Sequence, residues 1–295
     1  MKSYRLGLYE KGMPGNLSFP EKLMETRAAG FDYLELSIDE TDEKLARLDW
    51  TNTEINGLRH AIEDTGVPVL SICLSGHRRF PLGDEDREKR KRSLEIMEKA
   101  CALAVSLGVR IIQIAGYDTY YSPSNESTRG FFAENLARSV RIASSFGVTL
   151  AFETMETPFI NTVAKAMYWV QKINSPWLRV YPDLGNITNA AKSEGGDVIA
   201  DLKSGRGSIA ALHLKETKPG IFREVPYGTG YVDFASACTA ARDLGIALYV
   251  GEFWYKGEEN WRQILASNAV FLRRHLDMAF NHMVEEKKKK AEAAG

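Results

Sequence analysis

Three cysteines in 295 residues, none of them in a Cys-x-x-Cys pair, give no material for a disulfide framework or a thiolate zinc site. Cys73, Cys101 and Cys238 lie far apart and read as small buried hydrophobes. No apolar run reaches the roughly 20 residues that a membrane-spanning helix needs. The opening MKSYRLGLYEKG has no long apolar segment of the secretory type, so a cytoplasmic protein without membrane partners is expected. An excess of one charge is also missing. Lys plus Arg number 38 against 39 Asp plus Glu, for a formal net charge of -1, which argues against a general nucleic-acid partner. No G-x-G-x-x-G follows the first strand-like run, and no Pro/Ser/Gly-rich linker divides the chain. Histidine is scarce: His60, His77, His213, His275 and His282.

What is present is ordinary globular composition, 44% hydrophobic and 26% charged, arranged with a strong period. β-type runs begin at Arg5, Tyr33, Val67, Arg110, Val148, Leu178, Ile209 and Ile246. Several are nearly continuous in apolar residues, as strands covered on both faces are. Helical stretches alternate with them and end in glycine before the next strand: Gly30-Phe31, Gly66-Val67, Gly108-Val109, Gly147-Val148 and Gly245-Ile246. One helix opens on a capping pattern, Thr51 or Thr53 followed by Glu54. Strand–helix repetition with right-handed crossovers builds a parallel sheet, and eight units favour a closed barrel over an open doubly wound sheet. The expected fold is α/β, a single (β/α)8 TIM barrel over residues 1–280, with a charged helical or disordered tail over 281–295.

Barrel chemistry sits at the C-terminal ends of the strands. There the fifth run gives Glu153 (AFETME), the sixth Asp183 (VYPDLGN), the seventh His213 (ALHLKET) and the eighth Glu252 (VGEFW). A single acid in such a place is as often a helix cap or the partner of a lysine. Four successive strands each supplying an oxygen or imidazole ligand point elsewhere, because three clustered, buried carboxylates are very unfavourable without a cation. One divalent ion resolves this, and an oxygen-rich set with one histidine suits Mn, Mg, Co or Zn.

The stretches LSGHRRFPLG from Leu74, YPDLGN from Tyr181, HLKETKPGIFREVPYGTGYVDF from His213 and GEFW from Gly251 are similar to one known group. They resemble the L-ribulose-5-phosphate / L-xylulose-5-phosphate 3-epimerase family, within the xylose-isomerase-like barrel superfamily. The similarity runs over nearly the whole chain to about Met278. It implies a metal held by Glu153, Asp183, His213 and Glu252, the same four that the strand-end argument selects. It also implies a carbohydrate epimerase of pentose and L-ascorbate catabolism that works through a cis-enediolate. Epimerisation at C3 of a 2-keto sugar removes the proton beside the carbonyl and returns one to the opposite face. Glu153 and Glu252, three strands apart in a ring of eight, are expected to be that acid/base pair.

The sugar-phosphate substrate needs a cationic end. His77, Arg78 and Arg79 follow the third strand, and Lys215, Lys218 and Arg223 follow the seventh. Arginine grips phosphate through two N–H groups and lysine acts as a point charge. Against this stand surface pairing of Arg78 and Arg79 with the downstream GDEDRE and an ordinary hydrogen-bonded His77. Glu35 is expected at a substrate hydroxyl or as a helix cap, and Trp254 as an apolar wall for the sugar or as core. The free-ketohexose 3-epimerases carry a second Glu, a His and an Arg where this chain has Phe159, Asn186 and Pro219, which favours the phosphosugar branch. Asn186 is kept as a substrate-facing candidate. The rival readings are an aldose–ketose isomerase of the hexulose-6-phosphate type, a cyclic-polyol dehydratase, an abasic-site endonuclease, disfavoured by too few histidines and by neutral charge, and a non-catalytic sugar-phosphate binder. A homodimer is compatible with the sequence.

Overall fold

Each strand of the barrel has two unlike faces. In Tyr33–Ile38 (β2), Leu34, Leu36 and Ile38 point outward into an apolar shell, while Tyr33, Glu35 and Ser37 point inward. The same alternation runs through Arg5–Tyr9 (β1), Val69–Leu74 (β3), Ile111–Ala115 (β4) and Thr149–Glu153 (β5). It continues in Leu178–Tyr181 (β6), Leu212–Leu214 (β7) and Leu248–Gly251 (β8). The apolar shell is the main core, packed between strands and helices. The interior holds Tyr9, Tyr33, Cys73, Ala151, Tyr181 and Val250 together with buried polar side chains. The runs that read as continuously apolar are thus apolar outside and mixed apolar and polar inside. The computed structural model describes residues 3–292, with side chains described as far as 281.

All strand pairings are parallel, in the order β6-β5-β4-β3-β2-β1-β8-β7. The ring closes between β6 and β7 by bridges at Val180–Ile209 and Asp183–His213, with His213 N donating to Pro182 O at 2.9 Å. The closing seam therefore runs through two of the residues singled out above. Gly7 is forced by packing: a Cβ there would lie 2.3 Å from the Tyr33 ring, which passes over β1 so that its hydroxyl donates to Tyr249 O on β8.

The helices are Phe19–Ala28 (α1), Asp42–Ala46 (α2), Asn52–Thr65 (α3), Arg87–Ser106 (α4), Glu126–Phe146 (α5), Val163–Ile173 (α6), Leu184–Glu194 (α7), Val198–Ser204 (α8), Phe234–Asp243 (α9) and Trp261–Glu292 (α10). The capping box of α3 uses Thr51, whose amide is taken by Glu54, and the helix ends on Gly66 at φ 67°. Left-handed backbone of this kind costs glycine nothing. One reading of the sequence changes. The run from Leu178 stops as a strand at Tyr181, and Asp183 is the N-cap of α7. The tail from 281 continues α10 to Glu292, and its last three residues lie outside the described ones. All three cysteines are buried and free. Among the described residues no helix is long and apolar enough to cross a membrane.

Candidate active site

Glu153 closes β5, Glu252 follows β8 directly, His213 sits inside β7, and Asp183 turns the chain from β6 into α7. One ligand atom from each lies within 4.8 Å of the others, and all four side chains are buried. His213 Nδ1 is the hub, 3.4 Å from Glu153 Oε1, 3.5 Å from Glu252 Oε2 and 3.8 Å from Asp183 Oδ2. Asp183 divides its work. Oδ1 caps α7 by accepting from Asn186 N at 2.7 Å, while Oδ2 is sealed from solvent without a hydrogen-bond partner. Glu252 Oε2 is likewise buried without a hydrogen bond, its one close cation being the Lys215 ammonium at 3.3 Å. Buried acceptor oxygens are rarely left so, and hard oxygens with one imidazole suit a divalent cation. This group could hold a metal ion.

The electrostatics agree. Burial, and then the charge of Glu252, pushes the Glu153 carboxyl above its usual range, and burial does the same more strongly to Asp183. Burial would also raise Glu252, but Lys215 and then His213 outweigh it and hold Glu252 low. Lys215 is buried with Nζ 3.1 Å from Asp183 Oδ1 and 3.3 Å from Glu252 Oε2. The cluster thus has more negative charge than its imidazole and single ammonium balance. Gly185 makes room for this lysine, since a Cβ there would press on its Cε at 3.0 Å.

A narrow cavity of about 90 Å³ opens beside the cluster. Glu153, Glu252, Lys215, Asn186 and Trp254 line it, and so do Arg78 and Arg223. Arg223 pairs with Glu156 at 2.8 Å; Arg78 stacks over Tyr120 and reaches Glu40 at 3.5 Å. A roomier groove of about 870 Å³, between the Tyr120 loop, α5 and α6, contains none of the acid–imidazole cluster.

Other candidates fall elsewhere. His77 is turned into the wall, its Nε2 bonded to Ser93 O at 3.0 Å, because the short helical turn after β3 packs against α4. Arg79 is half exposed and pairs with Asp42 at 2.6 Å, and Lys218 lies in the turn bridged to Ile221; neither lines the cavity. Glu35 is neither a cap nor on the cavity: it lies beneath the cluster against His213. Lys215, placed by its sequence with the phosphate group, stands among the acids. Phe159 packs on Phe132 and Trp169.

Several site residues carry weak sequence signals. Gln113, on the inward face of β4, donates to Glu153 Oε2. Inward alternation from Ile111 marks it, though nothing marks its partner. Tyr9, Lys11, Ser75, Glu156 and Phe222 also line the cavity. Glu216 organises the loop after β7, accepting from the amides of Thr217, Gly228 and Val232 at 3.0–3.1 Å. Its place beside Lys215 in HLKET is the only hint.

A closed parallel barrel with three acids and an imidazole converging at the C-terminal mouth defines a TIM-barrel protein with a candidate divalent-metal centre. The xylose isomerase-like TIM barrel family matches residues 23–275, and the chain belongs to that family. Among curated proteins, the L-ribulose-5-phosphate 3-epimerase UlaE of Salmonella paratyphi C (strain RKS4594) is 45% identical over 260 residues, covering 88% of this chain and 90% of that protein. The protein of the same name from Escherichia coli O157:H7 is 44% identical with the same coverage. A solved L-ribulose 3-epimerase superposes with a TM-score of 0.72 at 21% identity, covering 99% of this chain and 98% of that one, which speaks to fold.

Proposed function

We propose that this protein is an isomerase, a metal-dependent 3-epimerase that interconverts L-ribulose 5-phosphate and L-xylulose 5-phosphate in the cytoplasm. The observation that carries the reading is the pair Glu153 and Glu252, 3.4 and 3.5 Å from His213 Nδ1, lining a cavity that also holds two arginines. The 45% identity to a curated L-ribulose-5-phosphate 3-epimerase supports it.

Glu153, Asp183, His213 and Glu252 would hold the ion. When bound, a divalent cation of the Mn, Mg, Co or Zn kind supplies positive charge that acidifies the C–H beside the ketone and neutralises the enediolate oxygens. The proton work belongs to the two glutamates. One takes the C3 proton as the C–H electron pair moves into the C2–C3 bond, and the carbonyl pair moves onto O2. The other returns a proton to the opposite face of C3. Gln113 fixes the Glu153 carboxyl. Arg78 and Arg223 are positioned to take the phosphate, exchanging their carboxylate partners Glu40 and Glu156 for a dianion. Asn186 offers Oδ1, buried without a hydrogen-bond partner, on the cavity wall. Trp254 closes the apolar side with Tyr9.

The test is incubation of Mn²⁺-loaded enzyme with each pentulose phosphate in D₂O. Deuterium at C3 with formation of the other epimer supports the reading. Deuterium at C1 or C2 would replace it with an aldose–ketose isomerase. The buried ammonium of Lys215 beside the ligand acids is the observation that keeps that second reading in view.

A further inference from the structure

Glu35 has no contact with the cavity, yet it is fully buried at the centre of a set of hydrogen bonds. Its Oε1 lies 2.7 Å from His213 Nε2, while its Oε2 accepts from Ser71 Oγ at 2.6 Å and from Tyr181 Oη at 2.9 Å. The three partners come from β3, β6 and β7, so the carboxylate is pinned from three sides of the barrel. Tyr181 also packs edge-on against the imidazole, ring centroids 4.8 Å apart.

We propose that Glu35 is a positioning residue for the metal centre, fixing the orientation and tautomer of His213 so that Nδ1 presents its lone pair to a divalent cation. This rests on the reading that Glu153, Asp183, His213 and Glu252 hold the ion. With Glu35 Oε1 as the acceptor of this 2.7 Å contact, the hydrogen is on Nε2. Nδ1 is then left unprotonated in the neutral ring, and Nδ1 is the atom facing the three acids. The other tautomer, with its hydrogen on Nδ1, would present an N–H to the acids and no lone pair to the ion. Ser71 and Tyr181 occupy the second oxygen of Glu35, which prevents the carboxylate from rotating away. A carboxylate behind a ligating histidine also raises the imidazole's basicity, and loss of such a partner commonly weakens metal binding about 10- to 100-fold.

The experiment is calorimetric titration of the metal-free full-length chain with Mn²⁺, for wild type, Glu35→Gln and Glu35→Ala. Thermal melts in EDTA establish that each metal-free variant is folded. Glu35→Ala is expected to bind Mn²⁺ about 10- to 100-fold more weakly. Glu35→Gln, which keeps the volume and an acceptor oxygen for Nε2–H, is expected to fall between it and wild type, a partial rescue that a merely space-filling role would not produce. If Glu35→Ala does not fold, a Gln variant with wild-type affinity overturns the proposal. A folded Ala variant with wild-type Mn²⁺ affinity overturns it too. So does a raised KM for the sugar phosphate with unchanged Mn²⁺ affinity, which would return Glu35 to the substrate. A wild-type chain that binds no Mn²⁺ overturns the metal site itself and this inference with it; wild-type binding with unaltered variants removes only the role of Glu35.

Discussion

Arg223 and Glu156 are joined at 2.8 Å across the cavity, and Tyr120 donates to the same carboxylate oxygen at 2.9 Å. A guanidinium held this way is placed in advance, and a phosphate dianion is a stronger partner for it than one carboxylate. Replacing Arg223 or Arg78 with alanine is expected to raise KM for the phosphorylated pentulose about 10- to 100-fold, as loss of a charge-assisted hydrogen bond does. Turnover of unphosphorylated L-ribulose should change little. Steady-state kinetics on both sugars checks this, and an equal loss on the two would remove the phosphate role.

Glu153→Gln and Glu252→Gln preserve size while removing the base. Each is expected to lower epimerisation by at least about a thousandfold, within the range of general acid–base catalysis. Exchange of the C3 proton with solvent, followed by NMR in D₂O, should be lost in both. Normal exchange in either variant would end the two-base scheme.

Removal of the ion should leave an inactive but folded chain, since the barrel core lies outside the ligand cluster. Activity should vanish after dialysis against EDTA and return with Mn²⁺ or Zn²⁺. At a hundredfold excess over Kd, the added ion should stabilise the fold by about 2.7 kcal/mol, visible as a higher melting temperature. Full activity after exhaustive chelation would refute metal dependence.

Beside the mouth, buried Glu10 gathers Lys22 at 2.8 Å, Lys44 at 2.9 Å and Arg47 at 2.6 Å. Burial alone would raise its carboxyl, but Arg47 and then the lysines hold it far below the usual range. Glu10→Gln would leave three cations crowded without their anion. A loss of about 3–5 kcal/mol is expected from breaking one side of a buried ion cluster. Urea denaturation at pH 7 measures it, and a loss under 1 kcal/mol would show that the cations find other partners.

His77 supplies a pH signature. Burial lowers its pKa from the ordinary 6.5 to about 4. Between those values the unfolded chain binds a proton that the folded chain does not. Its contribution is complete above pH 6.5 and is lost as the pH falls toward 4. The full gap is worth about 3 kcal/mol. His77→Asn should therefore show a shallower fall in stability from pH 7 to pH 4.5 than wild type. Parallel slopes would mean that the ring gains a proton in the folded state as easily as in the unfolded one.

The four cluster residues were legible because two local signals coincide at each: a polar residue on the inward face, at or just past the end of an otherwise apolar run. Asp183 shows how far such a signal goes. Its sequence position suits both a cap and a ligand, and the two oxygens separate the roles. Glu35 carries only the inward-facing half of that signal, since it lies within β2 rather than at its end, and its partner His213 is 178 positions away. The sequence therefore places Glu35 inside the barrel without saying what it meets. Arg78 and Arg79 are neighbours in the chain, and only one of them lines the cavity, because the short helical turn that carries them points consecutive side chains in different directions.

By itself the sequence determined the repeating strand–helix unit, the barrel, and which residues stand at its C-terminal mouth. Those follow from period, glycine punctuation and strand ends, all set by neighbours a few residues apart. Only the tertiary structure decided the partnerships: Lys215 with the ligand acids, Glu35 behind His213, His77 turned into the wall. Closing the ring brings strands distant in sequence together at angles no local pattern encodes. The role of a buried polar side chain is fixed by whichever group from another strand satisfies it there.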